Sequence, residues 1–201
     1  MLAVVVFGLI QSLVIMPGRI PSGSMEQTLS AGQIIAIDRL TPRWDPVKPG
    51  EVVVFRADEA WLGHAKATVD GPVPAIRWLA GKLGYGQGLE HLLVKRIVAE
   101  EGQTVSCCDV QGRVQVDGQP LDEPYIYEDL PFTPGVLDCE TGSQRCFAPV
   151  IVPAGKLFML GDHRSNSADS IIACRGSTAA SCARFVSRDD IWGRVIGVKR
   201  G

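Results

Sequence analysis

Short apolar runs separated by glycine and proline dominate this sequence and limit the folds that it can adopt. The chain has 201 residues, of which 22 are glycine and 13 are proline, and both residue types interrupt helices and favour turns. The runs between them are rich in β-branched residues, which is typical of buried strands. We therefore expect a mainly β fold of antiparallel strands. The predicted strands are residues 32–38, 51–56, 91–99, 150–152, 156–160 and 191–199, with a hairpin at 114–121.

Two segments lack the strand pattern. Residues 57–90 contain glycine, alanine and scattered charges, and we interpret them as an excursion from the sheet. Residues 125–149 are loop-like. The length is sufficient for one domain with a substantial core, with room for a minor subdomain.

The N-terminal segment from Met1 to Met16 carries no charge. It is shorter than the roughly 20 apolar residues that a full membrane span requires. A cleaved signal peptide is one interpretation, although a basic start and an Ala-x-Ala site are absent. A buried core helix is the second. We favour the third, in which the segment is the outer part of a membrane helix that begins upstream.

Charge and cysteine content narrow the function class. The formal net charge of −2 gives no reason to expect a nucleic-acid partner. The cysteines show no CxxC spacing, so a zinc site is not expected, and their number in a loop-rich half favours an oxidising compartment. The six cysteines are Cys107, Cys108, Cys139, Cys146, Cys174 and Cys182.

The cysteine pairing stays open at the level of sequence. Cys174 and Cys182 are close enough in sequence to close a short loop. Cys139 can pair with Cys146, or one of them with Cys107 or Cys108. Buried free thiols are the alternative.

The segment from Ile20 to Leu29, IPSGSMEQTL, places serines directly after the apolar N-terminal run. A serine there is either a turn residue or a nucleophile, and a nucleophile needs a base. The sequence contains no GxSxG motif, so an α/β-hydrolase has no support. Histidine is scarce, and a Ser-His-Asp arrangement through His163 rests on residue types alone.

Lys95 is the lysine that lies inside a strongly apolar strand. Side chains alternate along a strand, so Lys95 and Arg96 point to opposite faces and only one of them can easily face water. A lysine that faces the core is costly unless it is neutral and hydrogen-bonded, and a serine hydroxyl is a suitable partner. The structural alternative is that Lys95 snorkels to water or pairs with a carboxylate.

Several motifs follow one another along the chain: PSGSMEQTL, EVVVF, VKRIVAEEGQTV, FMLGDHRSNSADS and WGRV. In this order they resemble the type I signal peptidases, which are membrane-anchored serine proteases with a Ser-Lys dyad. The long excursion before VKRIV and the cysteine-bearing loops are similar to the actinobacterial branch of the family.

The resemblance implies an architecture and a location. The implied fold is a signal-peptidase-like antiparallel β-sheet catalytic domain over residues 18–201, with the excursion at 57–90 and a small inserted β subdomain at about 106–150. Residues 1–17 would be a truncated transmembrane anchor in the cell membrane, with the catalytic domain on the extracytoplasmic side. The implied partners are the lipid bilayer and pre-proteins that carry signal peptides with small residues at −1 and −3. No metal or organic cofactor is implied.

The resemblance also assigns roles within the site. Ser24 would be the nucleophile and Lys95 the general base. Ser22 and the Ser24 backbone N–H would form the oxyanion hole, and Ser167 would orient the lysine amine. The substrate pocket would be lined by Ile20, Pro21, Met25 and Val94. Structural positions near the site would be Asp162, Arg164 and Asp169.

The chain departs from the family pattern at three places. Gln27 stands where proline is usual, so we expect a looser turn after the nucleophile. Ile171 stands where an arginine usually follows Asp169, which leaves Arg164 or Arg175 as replacement partners. The usual VGxPGD is VAEEGQ at residues 98–103.

Two alternatives compete with signal-peptide cleavage. A self-cleaving Ser-Lys peptidase like the SOS repressors shares the chemistry, but the apolar N-terminus and the lack of a DNA-binding segment argue against it. An inactive, disulfide-stapled extracellular binding module is the other, and the intact serine and lysine positions argue against that.

Overall fold

The computed structural model describes residues 14–62, 92–177 and 181–197. Within these ranges the regular secondary structure is mainly β, with one short helix, α1 (Glu59–Leu62), and several single 3-10 turns. The strands are β1 (Ile15–Arg19), β2 (Ile34–Asp38), β3 (Val52–Arg56), β4 (Leu92–Glu100), β5 (Thr104–Cys107), β6 (Val114–Val116), β7 (Gln119–Pro120), β8 (Phe147–Ile151), β9 (Lys156–Leu160), β10 (Val186–Ser187) and β11 (Ile191–Ile196).

The strands form two antiparallel sheets. The larger sheet has the order β1-β2-β11-β3-β4-β9-β10, so β4 lies in its interior between β3 and β9. The smaller sheet has the order β7-β6-β5-β8. Its strands lie between β4 and β9 in sequence, although β4 and β9 are neighbours in the larger sheet. The smaller sheet is therefore an insertion, in the region where an inserted subdomain is expected.

The larger sheet is covered by apolar side chains on both faces. In β3, Val52 and Val54 pack into one cluster, and Val53 and Phe55 pack into another. This explains why β3 is continuously apolar rather than alternating, since a strand buried on both faces has no solvent side. We call the first cluster the site-side cluster; its buried members are Ile20, Met25, Leu29, Ile35, Ile37, Val52, Val54 and Val195. A third cluster, which includes Val105, Val150 and Phe158, joins the two sheets.

Most predicted strands are confirmed. The ranges 32–38, 51–56, 156–160 and 191–199 contain β2, β3, β9 and β11, and β4 overlaps the range 91–99 and continues to Glu100. Residues 91, 198 and 199 of these predictions lie outside the described residues. The hairpin is also confirmed, because Asp117 and Gly118 both have positive φ, 52° and 76°, as a type I′ turn requires. The strand predicted at 150–152 is the end of β8, which begins earlier, at Phe147.

Strands β1, β5 and β10 were not predicted. Pro17 and Gly18 are residue types that usually interrupt strands, yet both lie within β1. Proline is tolerated there because β1 is an edge strand, where a missing N–H need not break a ladder. Strand β10 has two residues, too few for a sequence pattern.

Most of the predicted anchor at 1–17 and most of the excursion at 57–90 lie outside the described residues. The last positions of the anchor range, from Ile15, belong to β1 and pair with β2. Across the described ranges, the structure contains no helix that is long and apolar enough to cross a membrane.

All six cysteines lie in disulfides: Cys107–Cys108, Cys139–Cys146 and Cys174–Cys182. The last two are pairings that the sequence allowed, whereas the bond between adjacent cysteines was not considered. The Cys108 and Cys146 sulfurs lie 3.9 Å apart, so the first two disulfides are in contact. The alternative of free thiols is wrong.

Candidate active site

Ser24 lies in a turn that is fastened to the edge of the larger sheet. The Ile20 N–H donates to the Gln33 carbonyl (2.9 Å) at the base of the turn, and the Leu29 N–H donates to the Met25 carbonyl (2.7 Å) within it. Ile20, Met25 and Leu29 are buried in the site-side cluster. These apolar anchors hold the backbone while Ser24 between them remains partly accessible.

Lys95 reaches this turn from the interior of the sheet. Its Nζ donates to Ser24 Oγ at 2.7 Å and to the Val94 carbonyl at 3.1 Å. The side chain is buried, with 3% of its surface exposed. Neither acceptor is a carboxylate. Across the described residues, Lys95 therefore neither snorkels nor forms an ion pair, and a serine hydroxyl is its partner.

Burial changes the protonation chemistry of this lysine. Desolvation lowers the pKa of Lys95 from 10.5 to about 8, because the interior disfavours the ammonium form. Asp169 and Asp162 oppose this effect by attraction, and Arg184 adds to it by repulsion. A substantial fraction of the amine is consequently neutral at mildly alkaline pH. A neutral amine can accept the hydroxyl proton of Ser24 across the same contact.

Arg96, the next residue of β4, is buried as deeply and is compensated by charge. Its Nε and Nη2 donate to the two carboxylate oxygens of Asp162 at 2.9 and 2.6 Å. Its Nη1 donates to the Gly50 carbonyl at 2.7 Å, and the guanidinium lies 3.7 Å from the centre of the Tyr125 ring. Neither Lys95 nor Arg96 faces water, contrary to the expectation that one of them would be solvated.

The Arg96–Asp162 pair also fixes the serine turn. Thr28, four residues after Ser24, donates its hydroxyl hydrogen to Asp162 Oδ2 at 2.5 Å. The Asp162 carboxylate, in the segment after β9, thus accepts hydrogen bonds from both the serine turn and β4.

A second hydroxyl lies beside that of Ser24. Ser22 is exposed, and its Oγ lies 3.4 Å from Ser24 Oγ. The Ser24 backbone N–H has no acceptor within the described parts of the chain. These are the two donors that the resemblance assigns to the oxyanion hole.

Ser167 lies at the same place but makes no hydrogen bond there. It is 4% exposed, and its Oγ has no partner among the described residues, so the expected bond to Lys95 is not formed. A Cβ on Gly161 would collide with Ser167 and would lie 2.6 Å from the Ser24 carbonyl oxygen. The missing side chain at Gly161 therefore lets the end of β9 pack directly against the serine turn.

A family model described as signal peptidase, peptidase S26, matches residues 1–198. The chain belongs to this signal peptidase family. Signal peptidase I of Mycobacterium tuberculosis (strain ATCC 25618 / H37Rv) is 38% identical over 182 residues, which cover 86% of this chain and 60% of the relative. The probable signal peptidase I of Mycobacterium leprae (strain TN) is 36% identical over 191 residues, which cover 88% of this chain and 63% of that relative.

The mycobacterial relatives confirm the resemblance to the actinobacterial branch. The chain spans about three fifths of the length of these relatives. A crystal structure of a signal peptidase I from Enterococcus faecalis V583 aligns with a TM-score of 0.38 and 19% identity, over 74% of this chain and 95% of that one.

The departure at Ile171 leaves Asp169 without the usual arginine partner, and a different arginine takes that place. Asp169 is fully buried, and its Oδ2 lies 3.1 Å from Arg175 Nη2. Ile171, at the position usual for arginine, instead donates its backbone N–H to Asp169 Oδ1 at 3.2 Å. Of the two candidates, Arg175 is the partner, because Arg164 binds Glu123 at 2.5 Å.

The four predicted pocket residues separate into two groups. Ile20 and Met25 are buried in the site-side cluster, and Val94 packs against it. Met25 and Val94 are the chain neighbours of Ser24 and Lys95, and we call Ile20, Met25 and Val94 together the apolar wall. Pro21 is exposed and is not part of that cluster.

His163 lies close to Ser24 without contacting its hydroxyl. Its Nδ1 is 3.1 Å from the Gly23 carbonyl oxygen, and its Nε2 is 3.3 Å from Glu128 Oε2. The Ser-His-Asp hypothesis needs the ring at Ser24 Oγ, where Lys95 lies instead. Sequence reasoning missed the contacts of Thr28, Tyr125 and Glu128, because each of them binds a residue that is distant in sequence.

Gln27 gives a stability prediction. Its φ is +71°, a left-handed conformation that proline cannot adopt. Gln27→Pro, the usual family residue, should lower the free energy of unfolding by more than about 1 kcal/mol. Gln27→Gly should leave it unchanged or raise it, because glycine adopts positive φ without steric cost. Chemical denaturation of the two variants measures the difference, and a stabilising Gln27→Pro would contradict the turn geometry.

Lys95 gives a prediction that depends on pH. The folded pKa is lower than that of an unfolded lysine, so the unfolded chain binds more protons between pH 8 and 10.5 and stability rises across that window. The lowering corresponds to about 3 kcal/mol of cost for burying the ammonium. Lys95→Met should therefore be more stable than wild type at pH 7 by up to that amount, and the gap should close as pH rises to 10.5.

The matched control is Lys48→Met, which removes an exposed lysine that pairs with Asp45. Its stability should differ little from that of wild type, because surface ion pairs contribute little. Thermal unfolding between pH 7 and 10.5 measures the stability of each variant relative to wild type. A constant gap for Lys95→Met would show that the lysine is not desolvated.

Proposed function

We propose that this protein is a signal peptidase I, a membrane-bound serine endopeptidase that removes N-terminal signal peptides from exported pre-proteins. The observation that carries the proposal is the 2.7 Å contact between Lys95 Nζ and Ser24 Oγ, made by a lysine whose pKa burial lowers to about 8. Membership of the family and the names of the mycobacterial relatives support the same activity.

The first half of the reaction forms an acyl-enzyme. Neutral Lys95 takes the hydroxyl proton as Ser24 Oγ attacks the scissile carbonyl carbon. The carbonyl oxygen becomes negatively charged and accepts hydrogen bonds from the Ser24 N–H and the Ser22 hydroxyl. One such donor contributes about 3 kcal/mol to transition-state stabilisation. The Lys95 ammonium then gives its proton to the leaving amine, and the peptide bond breaks.

The second half releases the signal peptide. Lys95, neutral again, takes a proton from water as the water oxygen attacks the ester carbon. The tetrahedral intermediate collapses, Ser24 Oγ leaves, and Lys95 returns the proton to it. The lysine thus serves as base and acid in both halves, which requires a pKa near the working pH.

Ser167 is the proposed orienter of the lysine amine. Its hydroxyl is buried beside the serine turn and has no partner among the described residues. An unpaired buried hydroxyl costs about 1–3 kcal/mol of stability. Accepting a hydrogen bond from the Lys95 amine, when substrate rearranges that amine, would recover part of this free energy.

Substrate selection follows from the apolar wall. Ile20, Met25 and Val94, with Pro21 at the rim, would accept small side chains at −1 and −3. Asp162, Arg164 and Asp169 would not contact substrate, since each is buried in an ion pair. They keep the segment after β9 in place under Ser24.

Location and organisation complete the proposal. Residues 1–17 would anchor the chain in the cell membrane, and residues 18–201 would work on its extracytoplasmic side, where the scissile bond emerges. Three disulfides in one chain are consistent with an oxidising compartment. A mere binding module would have no use for a buried Ser–Lys pair that lowers its stability.

Variants test the mechanism directly. With a pre-protein carrying alanine at −1 and −3 as substrate, Ser24→Ala and Lys95→Ala should each lose processing by at least about 10³-fold. Ser30→Ala, an exposed serine of the same turn, and Lys48→Ala should process at the wild-type rate. Gel analysis of cleaved pre-protein measures this. Retained processing in Ser24→Ala or Lys95→Ala would refute the mechanism.

The pH dependence gives an independent check. Because Lys95 must be neutral to act as base, kcat/KM should increase about tenfold per pH unit below 8 and level off above it. A peptide substrate without groups that titrate between pH 6 and 9 isolates the enzyme's own ionisation. An optimum at acidic pH would be incompatible with a lysine base.

A further inference from the structure

His163 holds the peptide group that precedes Ser24. It follows Asp162 in the segment after β9 and is mostly buried, with 14% of its side chain exposed. Its backbone N–H donates to the Ser24 carbonyl at 3.1 Å. Its Nδ1 lies 3.1 Å from the Gly23 carbonyl oxygen, and since a carbonyl only accepts, Nδ1 carries the hydrogen.

The Gly23 carbonyl and the Ser24 N–H belong to the same peptide group. A donor at the carbonyl oxygen draws electron density through the amide and makes its N–H a stronger donor, as in any chain of hydrogen bonds. The Ser24 N–H has no acceptor among the described residues and is the proposed oxyanion donor. His163 therefore acts on the opposite end of the group that would bind the developing negative charge.

The ring is fixed from its other side. Its Nε2 lies 3.3 Å from Glu128 Oε2, and the Tyr127 ring meets it edge-on, with ring centres 5.1 Å apart. The backbone at Tyr127 and Glu128 is joined to the segment after β9, because the Tyr127 N–H donates to the Asp162 carbonyl and the Ser165 N–H donates to the Glu128 carbonyl. The loop between β7 and β8 thus holds the imidazole against Gly23.

We propose that His163 is a positioning residue that orients and polarises the Gly23–Ser24 peptide, so that the Ser24 N–H binds the oxyanion more strongly. The inference rests on the proposed function and adds a residue to its oxyanion hole. His163 touches neither substrate nor the reacting hydroxyl. Its contribution should appear in the transition state and not in substrate binding.

Two amide variants separate this role from general packing. In His163→Asn the side-chain amide lies as many bonds from Cβ as Nδ1 does, so it can still donate to the Gly23 carbonyl. In His163→Gln the amide is one bond longer and lies near the position of Nε2, facing Glu128. Both are neutral and polar. The full chain of 201 residues is used, with a fluorogenic peptide carrying alanine at −1 and −3.

His163→Asn should keep kcat within about threefold of wild type. His163→Gln should lose kcat roughly tenfold with KM unchanged, which is less than the 10²–10³-fold that follows loss of an oxyanion donor itself. Thermal unfolding of both variants shows whether they fold. If His163→Gln is less stable, the comparison is made at a temperature where both are fully folded.

A peptide aldehyde supplies a readout that packing alone would not move. Ser24 Oγ adds to the aldehyde carbon while its proton passes to Lys95, and the aldehyde oxygen becomes the negatively charged hemiacetal oxygen in the oxyanion hole. The inhibition constant of the aldehyde should therefore weaken in His163→Gln by the same factor as kcat. Binding of the cleaved peptide product should not change. Equal kcat in the two variants, or a loss confined to KM, would overturn the role of His163. Processing by Ser24→Ala would instead refute the proposed function itself.

Discussion

Strand β4 buries two adjacent basic side chains, and the site is built around how each is compensated. Arg96 cannot lose its proton, so it requires a carboxylate, and Asp162 provides both oxygens. Lys95 can lose its proton, and its acceptors are a serine hydroxyl and a carbonyl. Both side chains are buried, but only Arg96 binds a carboxylate, so the Lys95 ammonium is desolvated without a hydrogen-bonded counter-charge. That asymmetry turns an expensive buried ammonium into a base with a pKa near 8.

The same carboxylate links the fold to the chemistry. Asp162 binds Arg96 from the centre of the sheet and Thr28 from the serine turn. Replacing it would leave a buried guanidinium without its partner, a change that typically costs 3–5 kcal/mol. The position of Ser24 relative to Lys95 therefore depends on a pair of residues that takes no part in the proposed reaction.

The smaller sheet contributes to the site through its loops. It is inserted between two strands that are neighbours in the larger sheet, and the long connection from β7 to β8 returns to the serine turn. That connection supplies Glu123 to Arg164, Tyr125 to Arg96 and Glu128 to His163. The insertion thus supports the segment after β9 that lies under Ser24.

The sequence predicted what depends on local pattern. The apolar context of Lys95 and the alternation of a strand made it a candidate base, but the choice between a base and a snorkelling or paired lysine rested on the family resemblance. The Asp117-Gly118 turn was recognisable from two residues. The partners across the site were not, because Asp162 is 66 residues from Arg96, and no local rule distinguished Arg175 from Arg164 as partner of Asp169. Strand β1 was missed because its proline is tolerated only at a sheet edge, and edges are a property of the assembled fold.

Direct titration of Lys95 tests the central claim, that burial beside Ser24 makes this lysine a base. Lysine Cε resonances of the full chain, labelled with 13C-lysine and assigned by comparison with Lys95→Met, report the protonation of each amine as pH is raised. We predict that the Lys95 resonance titrates near pH 8. A Lys95 resonance that titrates above pH 10 would contradict this claim.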